Sequence, residues 1–233
     1  ASGTFGFGTE FNEVIDVNLL GGISSKGLTL EAKPGNTGIR LQETPSGLIN
    51  SIGVENPGIK TFNEKKLPVM MNLKPVAIAN LSGSSIETYV EGAKLLDKTE
   101  IPMIELNISC PNVKAGGMAF GLDPQAAFEV TSAVRKATSK PLIVKLSPNA
   151  PDLKSIAFAV TKAGADAISL VNTFQAMAID VEKEQFIFDN IRNIYILLYF
   201  VLLLFAGRFC TAKYQLKLIS TIPMVALLFY CLL

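Results

Sequence analysis

Histidine and tryptophan are absent from the 233 residues, and cysteine occurs only three times. Without histidine there can be no Ser-His-Asp triad, no Cys-His dyad and no His-containing zinc site. Proton transfer then falls to Cys, Lys, Asp, Glu or Tyr. The cysteines, at 110, 210 and 231, include no CxxC pair, which points to a reducing compartment rather than a disulfide framework. An excess of either charge is also missing. With 21 basic and 20 acidic residues the net charge is +1, which argues against a nucleic-acid surface. Residues 1–8 carry no charged n-region, so no secretory leader is expected and the cytoplasm is the expected location. What the chain has in excess is apolar residues, at 49% with a mean hydropathy of +0.37. The length suits one large domain.

Residues 1–60 are rich in Gly, Pro, Asn and Thr and read as loops and short strands, such as 14–20. A repeat begins after Lys74. Four apolar runs of strand length, 76–80, 103–108, 142–146 and 167–171, alternate with helical patterns. The first helix is expected over 85–96, opened by a capping box of Ser84 and Glu87. The second is expected over 124–138, with Asp123 as N-cap and Pro124 at the first helical position. The third is expected over 152–163, stopped by Gly164. Strands apolar throughout that alternate with helices predict a parallel sheet covered by helices.

The strand ends carry the chemistry. They finish in Asn80, in Asn107-Ile-Ser-Cys110, in Lys145 and in Asn172-Thr173. Polar groups at the C-terminal ends of successive parallel strands are the arrangement of a (β/α)8 TIM barrel. A doubly wound sheet would also gather ligands there, but its Gly-rich GxGxxG turn is missing, so the α/β barrel is favoured.

Cys110 follows a strand directly and precedes Pro111 and the Gly116-Gly117 pair. A lone cysteine is usually a small buried hydrophobe. In a loop, a thiol whose thiolate is favoured by a positive field can act as a base. Lys145 lies within Leu142-Ile-Val-Lys-Leu146, where an unpaired ammonium is costly. An edge strand with Lys145 turned to water is one explanation; an anionic cofactor or substrate is the better one. Lys26, in Ser-Lys-Gly-Leu-Thr, reads equally well as a surface lysine. Asn50, Asn56, Asn80, Asn107, Asn112 and Asn172 each suit a turn or cap. Together they offer planar donors and acceptors that match an imide or pyrimidine-like edge.

These stretches together resemble the dihydroorotate dehydrogenase family, in its class 1B (NAD-linked) form, the FMN-carrying catalytic subunit. The resemblance rests on Ala1-Ser-Gly-Thr-Phe-Gly, Gly21-Gly-Ile with Lys26-Gly27-Leu-Thr, and Glu43-Thr-Pro-Ser-Gly-Leu-Ile-Asn-Ser-Ile-Gly53. It continues through Asn56-Pro-Gly, Asn107-Ile-Ser-Cys-Pro-Asn-Val-Lys114, Lys145-Leu-Ser-Pro-Asn149 and Gly164-Ala-Asp-Ala-Ile-Ser-Leu-Val-Asn-Thr173. It covers about residues 1–190 and implies oxidation of dihydroorotate to orotate in pyrimidine biosynthesis. By that resemblance Cys110 is the base at C5, hydride leaves C6 for FMN, and Lys145 lies against the flavin. Ser2, Lys26, Gly27, Asn80, Asn107, Lys145 and Val171 match cofactor positions. Lys26, Asn50, Ser51, Ile52, Gly53, Val54, Asn107, Asn172 and Thr173 match substrate positions. The resemblance also implies a homodimer, and a partner subunit holding FAD and a 2Fe-2S cluster that passes electrons to NAD. This chain has too few cysteines for such a cluster, and no metal site is expected in it.

After Asn190 the resemblance fades. A Gly-Gly-Leu-Ser-Gly-Pro segment expected to bind FMN is replaced by an apolar run over 194–206, and the chain ends before the loops expected to hold the FMN phosphate. The front of the first strand is also missing, so the barrel is expected to be incomplete at both ends. Residues 1–190 are expected to form the barrel, with 191–233 a divergent hydrophobic tail in place of its last units. Two other readings stay open. One is a non-catalytic barrel fragment that cannot retain FMN; the other is a membrane-attached protein using the tail. The run over 194–206 is shorter than the roughly 17–25 residues needed to span a bilayer, and such an apolar segment is an aggregation liability.

Overall fold

The computed structural model describes residues 1–45, 47–109 and 120–188, together with the backbone of 195–196 and 202–204. A 3-10 turn at Val17–Leu19 leads into β1 (Gly22–Ser24), so the 14–20 segment is helical where a short strand was expected. Asp16 explains the difference, because its side chain accepts from the Asn18 amide and closes the turn. A hairpin follows, β2 (Leu41–Thr44) and β3 (Gly47–Asn50). The chain then forms α1 (Gly58–Thr61), a π turn (Phe62–Lys66) and α2 (Leu67–Met71). This helical stretch is invisible to a 3.6-residue pattern, since the π turn shifts its phase and Pro68 interrupts it.

The repeat then runs as expected: β4 (Val76–Ser82), α3 (Ile86–Asp97), β5 (Met103–Asn107), α4 (Pro124–Ala137), β6 (Leu142–Lys145), α5 (Leu153–Lys162) and β7 (Ala167–Leu170). Asp123 and Asp152 cap α4 and α5 through the amides of Ala126 and Ser155. Each such cap contributes about 1 kcal/mol. The capping box of α3 differs by one residue from expectation. Ser85 accepts from the Thr88 amide, and the Thr88 hydroxyl accepts from the Ser85 amide. Threonine at the third helical position thus takes the role assigned to glutamate, with Ser84 donating to the same hydroxyl.

β1, β4, β5, β6 and β7 lie side by side, all parallel, forming five consecutive strands of an incomplete (β/α)8 barrel. Their outer faces, including Leu81, Leu106, Val144 and Ile168, pack on Tyr89, Leu96, Val130, Val134, Ile156 and Val160 of the helices. Short strands β8 (Phe174–Gln175), β9 (Ile179–Asp180) and β10 (Gln185–Phe186) follow. β11 (Tyr195–Ile196) joins β3 and β8 in a second sheet. β12 (Leu202–Leu204) pairs antiparallel with β7, where the next barrel strand would run parallel. Among the described residues no helix is long and apolar enough to cross a membrane.

Candidate active site at the C-terminal ends of the barrel strands

Strand register decides which side chains share the barrel interior. Ser82 pairs in register with Asn107, Asn107 with Lys145, and Lys145 with Ser169. Side chains alternate along a strand, and the residues between these four belong to the outer core. The four therefore form one inward-facing polar row at the C-terminal end of the sheet. Two residues lower, Asn80 pairs with Glu105 to form a second polar level beneath it.

Lys145 is 3% exposed and makes no hydrogen bond or ion pair among the described residues. The hydroxyls of Ser82 and Ser169, on either side of it in the row, are buried and equally without a partner among the described residues. Buried polar atoms are normally satisfied, so these two hydroxyls, at one level with the Lys145 ammonium, are groups that a ligand could satisfy. The amides form a chain beside them. Asn80 Nδ2 donates to Glu105 Oε2 at 2.5 Å, Asn107 Nδ2 faces Asn80 Oδ1 at 3.5 Å, and Asn172 Nδ2 donates to Asn107 Oδ1 at 2.9 Å. The Tyr89 hydroxyl donates to the Asn107 carbonyl at 2.6 Å and anchors that strand end.

Other expected residues gather around this row. A Cβ on Gly27 would come within 3.2 Å of Asn80 Oδ1 and 3.3 Å of Ser82 Oγ, so glycine lets the chain after β1 lie against the row. Val54 reaches the same point, with its Cγ1 at 3.7 Å from that position. Lys26 is at the rim, its Nζ 4.0 Å from Glu55, and Arg40 binds the same carboxylate at 2.8 Å. Ser2 lies in the first turn beside Ala1. Thr173 follows Asn172, and its carbonyl accepts from Asn149 Nδ2 at 3.4 Å. Val171 enters through a cis peptide bond from Leu170.

The other part of the segment over 50–54 has a different setting. Asn50 ends β3, opposite Leu41 and Tyr195. Ser51 is buried and accepts from Asn36 Nδ2 at both its carbonyl and its hydroxyl, and the Ile52 carbonyl accepts from the Asn36 amide. Glycine suits position 53 twice over: its φ is +74°, and a Cβ there would meet the Asn36 side chain at 2.6 Å. Asn56, one of the six amides considered as ligand-facing, is a clamp. It is buried, donates to the Val54 carbonyl at 2.7 Å, and accepts from the Gly58 and Thr29 amides at 2.9 and 3.1 Å. Cys110 lies outside the described residues, as does Asn112.

Glu105 is the residue that sequence reasoning missed. It is buried, and Ser24 Oγ donates to it at 2.9 Å as well as Asn80. Its signal was the same as that of Lys145, a single charge inside an apolar run. A pocket of about 230 Å³ opens at the opposite end of the strands, between Met71, Leu73, Val76, Met103 and Pro141, far from this polar row in register.

The row fits the flavin that the resemblance implies. A ring bearing carbonyl oxygens and ring nitrogens would accept from the Lys145 ammonium, the spare N–H groups of Asn107 and Asn172, and the two serine hydroxyls.

Comparison with known proteins gives the same direction. The family described as "Dihydroorotate dehydrogenase" matches residues 1–192. The "Dihydroorotate dehydrogenase B (NAD(+)), catalytic subunit" of Petrotoga mobilis is 54% identical over 191 residues, covering 82% of this chain and 64% of that protein. Proteins of the same name from Thermoanaerobacter pseudethanolicus and Bacteroides thetaiotaomicron are 49% and 50% identical, each covering 82% of this chain and 63% of the relative. The chain therefore spans a little under two thirds of the length of these relatives. With the match running unbroken through the strands that carry the polar row, this chain belongs to the dihydroorotate dehydrogenase family.

Proposed function

We propose that the chain is the dihydroorotate-oxidising part of an FMN-dependent, NAD-linked dihydroorotate dehydrogenase acting in pyrimidine biosynthesis in the cytoplasm. The observation that carries this proposal is Lys145, a 3% exposed lysine whose ammonium has no partner among the described residues, in a polar row at the barrel mouth. A buried cation without a counter-charge is costly, and an electron-rich ligand removes that cost. FMN, when bound, supplies the two-electron acceptor for the hydride from C6 of dihydroorotate. Lys145 offsets negative charge on the ligand beside it, while Asn107 and Asn172 donate to acceptor atoms of a planar ring. Cys110, as thiolate, takes the C5 proton, so one C–H bond at each carbon is exchanged for the new double bond of orotate. Gly27 and Val54 close the row from the β1 side, and Lys26 and Thr173 complete its rim.

The name "catalytic subunit" in the relatives supports a partner that carries electrons to NAD. Its expected FAD and 2Fe-2S groups, and a homodimer of catalytic subunits, belong to the same proposal. Residues 191–233 are assigned as a divergent hydrophobic tail in place of the last barrel units. The test is direct. Purified chain reconstituted with FMN should be yellow, and dihydroorotate should bleach the flavin absorbance. Cys110→Ala should abolish bleaching while leaving the bound flavin content unchanged. Chain that stays colourless, or a variant that loses its flavin, overturns the assignment.

A further inference from the structure

We infer that Glu105 is a positioning residue for the amide row, fixing the orientation of Asn80; this rests on the proposed flavin site. An asparagine amide has two chemically different ends of nearly identical shape, and its hydrogen-bond partners decide which way it points. A carboxylate only accepts. Glu105 Oε2 therefore holds the Nδ2 end of Asn80, at 2.5 Å, and turns Oδ1 toward Asn107 Nδ2 and the Gly27 backbone. Ser24 donates to the same Glu105 oxygen at 2.9 Å and steadies it from β1.

The neighbouring amides have fixed ends of their own. Asn107 Oδ1 accepts from the Ser109 amide at 3.2 Å, and Asn172 Oδ1 accepts from the Thr173 amide at 2.9 Å. A backbone N–H only donates, so both side chains keep their nitrogens for other partners. Among the described residues Asn80 has no such backbone donor at its oxygen, and its orientation depends on Glu105. With all three set, spare N–H groups point toward the site from Asn107 and Asn172, and the site selects a ligand edge rich in acceptors. If Asn80 turned over, its nitrogen would confront Asn107 Nδ2, and one of the two amides would have to leave the row.

Glu105→Gln keeps the shape but lets the new amide either donate or accept. FMN binding, followed by quenching of flavin fluorescence, should then weaken at least about tenfold, the loss expected for one charge-assisted hydrogen bond. The unfolding midpoint of the flavin-free chain should change far less. In an Asn80→Ala background the same substitution should have no further effect on FMN affinity, because its action passes through Asn80. In the flavin-free wild type, the Asn80 side-chain NH2 signals should show slow hydrogen exchange by NMR, lost in Glu105→Gln. Equal FMN affinity in wild type and variant, or additive losses in the double variant, overturns the positioning role. A wild type that binds no FMN overturns the proposed function instead, and the NMR measurement then decides whether Glu105 holds Asn80.

Discussion

Replacing Lys145 by methionine should stabilise the flavin-free chain. Lys145 is 3% exposed, and among the described residues no carboxylate or carbonyl pairs with its ammonium. Leaving a charge buried and unpaired costs several kcal/mol even after the surroundings relax. Methionine keeps most of the stem that packs in the strand and removes the charge. Replacing even a paired buried charge by an apolar side chain of similar volume is neutral or gains about 1–4 kcal/mol. A gain of about 2 kcal/mol in a chain of this size raises the thermal midpoint by roughly 4–8 °C. FMN should reverse the ranking. At about 100 times its Kd the ligand adds about 2.7 kcal/mol to the wild type, while the variant has lost the cation that favours an electron-rich ring. Thermal unfolding followed by far-UV circular dichroism, with and without FMN, reads both halves. A flavin-free Lys145→Met chain that melts below wild type would refute the argument that Lys145 is held at a cost for a ligand.

Two further outcomes follow from the fold. Asn56→Ala should cost about 2–4 kcal/mol in urea unfolding, because it leaves the buried amides of Thr29 and Gly58 unsatisfied and frees the Val54 carbonyl; a loss near zero would show that Asn56 is not a clamp. Asp97 links the end of α3 to the loop after α4. The Thr138 hydroxyl, at 2.6 Å, holds its carboxyl below the ordinary 3.8, with burial opposing and the Ser139 amide adding to the effect. A folded-state value below the unfolded one stabilises the fold above pH 3.8 and loses that contribution as acid protonates the group. The stability difference between wild type and Thr138→Val should therefore shrink between about pH 5 and about pH 3; a constant difference would place the effect of Thr138 elsewhere.

Local signals were strong where a residue's neighbours along the chain decide its state. The strands of the repeat and the caps at Asp123 and Asp152 depend on spacing within a few residues, and they appear within two residues of expectation. The helical stretch after Gly58 was hidden because its π turn and Pro68 break the period that marks a helix. The six amides show the other limit. Asn56 and Asn172 look alike in sequence, yet one spends its hydrogen bonds on its own loop and the other joins the row at Asn107.

The sequence alone therefore determined that strands and helices alternate, that their polar residues fall at strand ends, and that Lys145 interrupts an apolar run. Those are properties of period and composition. Only the tertiary structure decided that Ser82, Asn107, Lys145 and Ser169 share one level, and that Glu105 lies beneath them holding Asn80. Register between strands far apart in the chain sets those neighbours, and a shift of one residue would turn every one of these side chains to the other face.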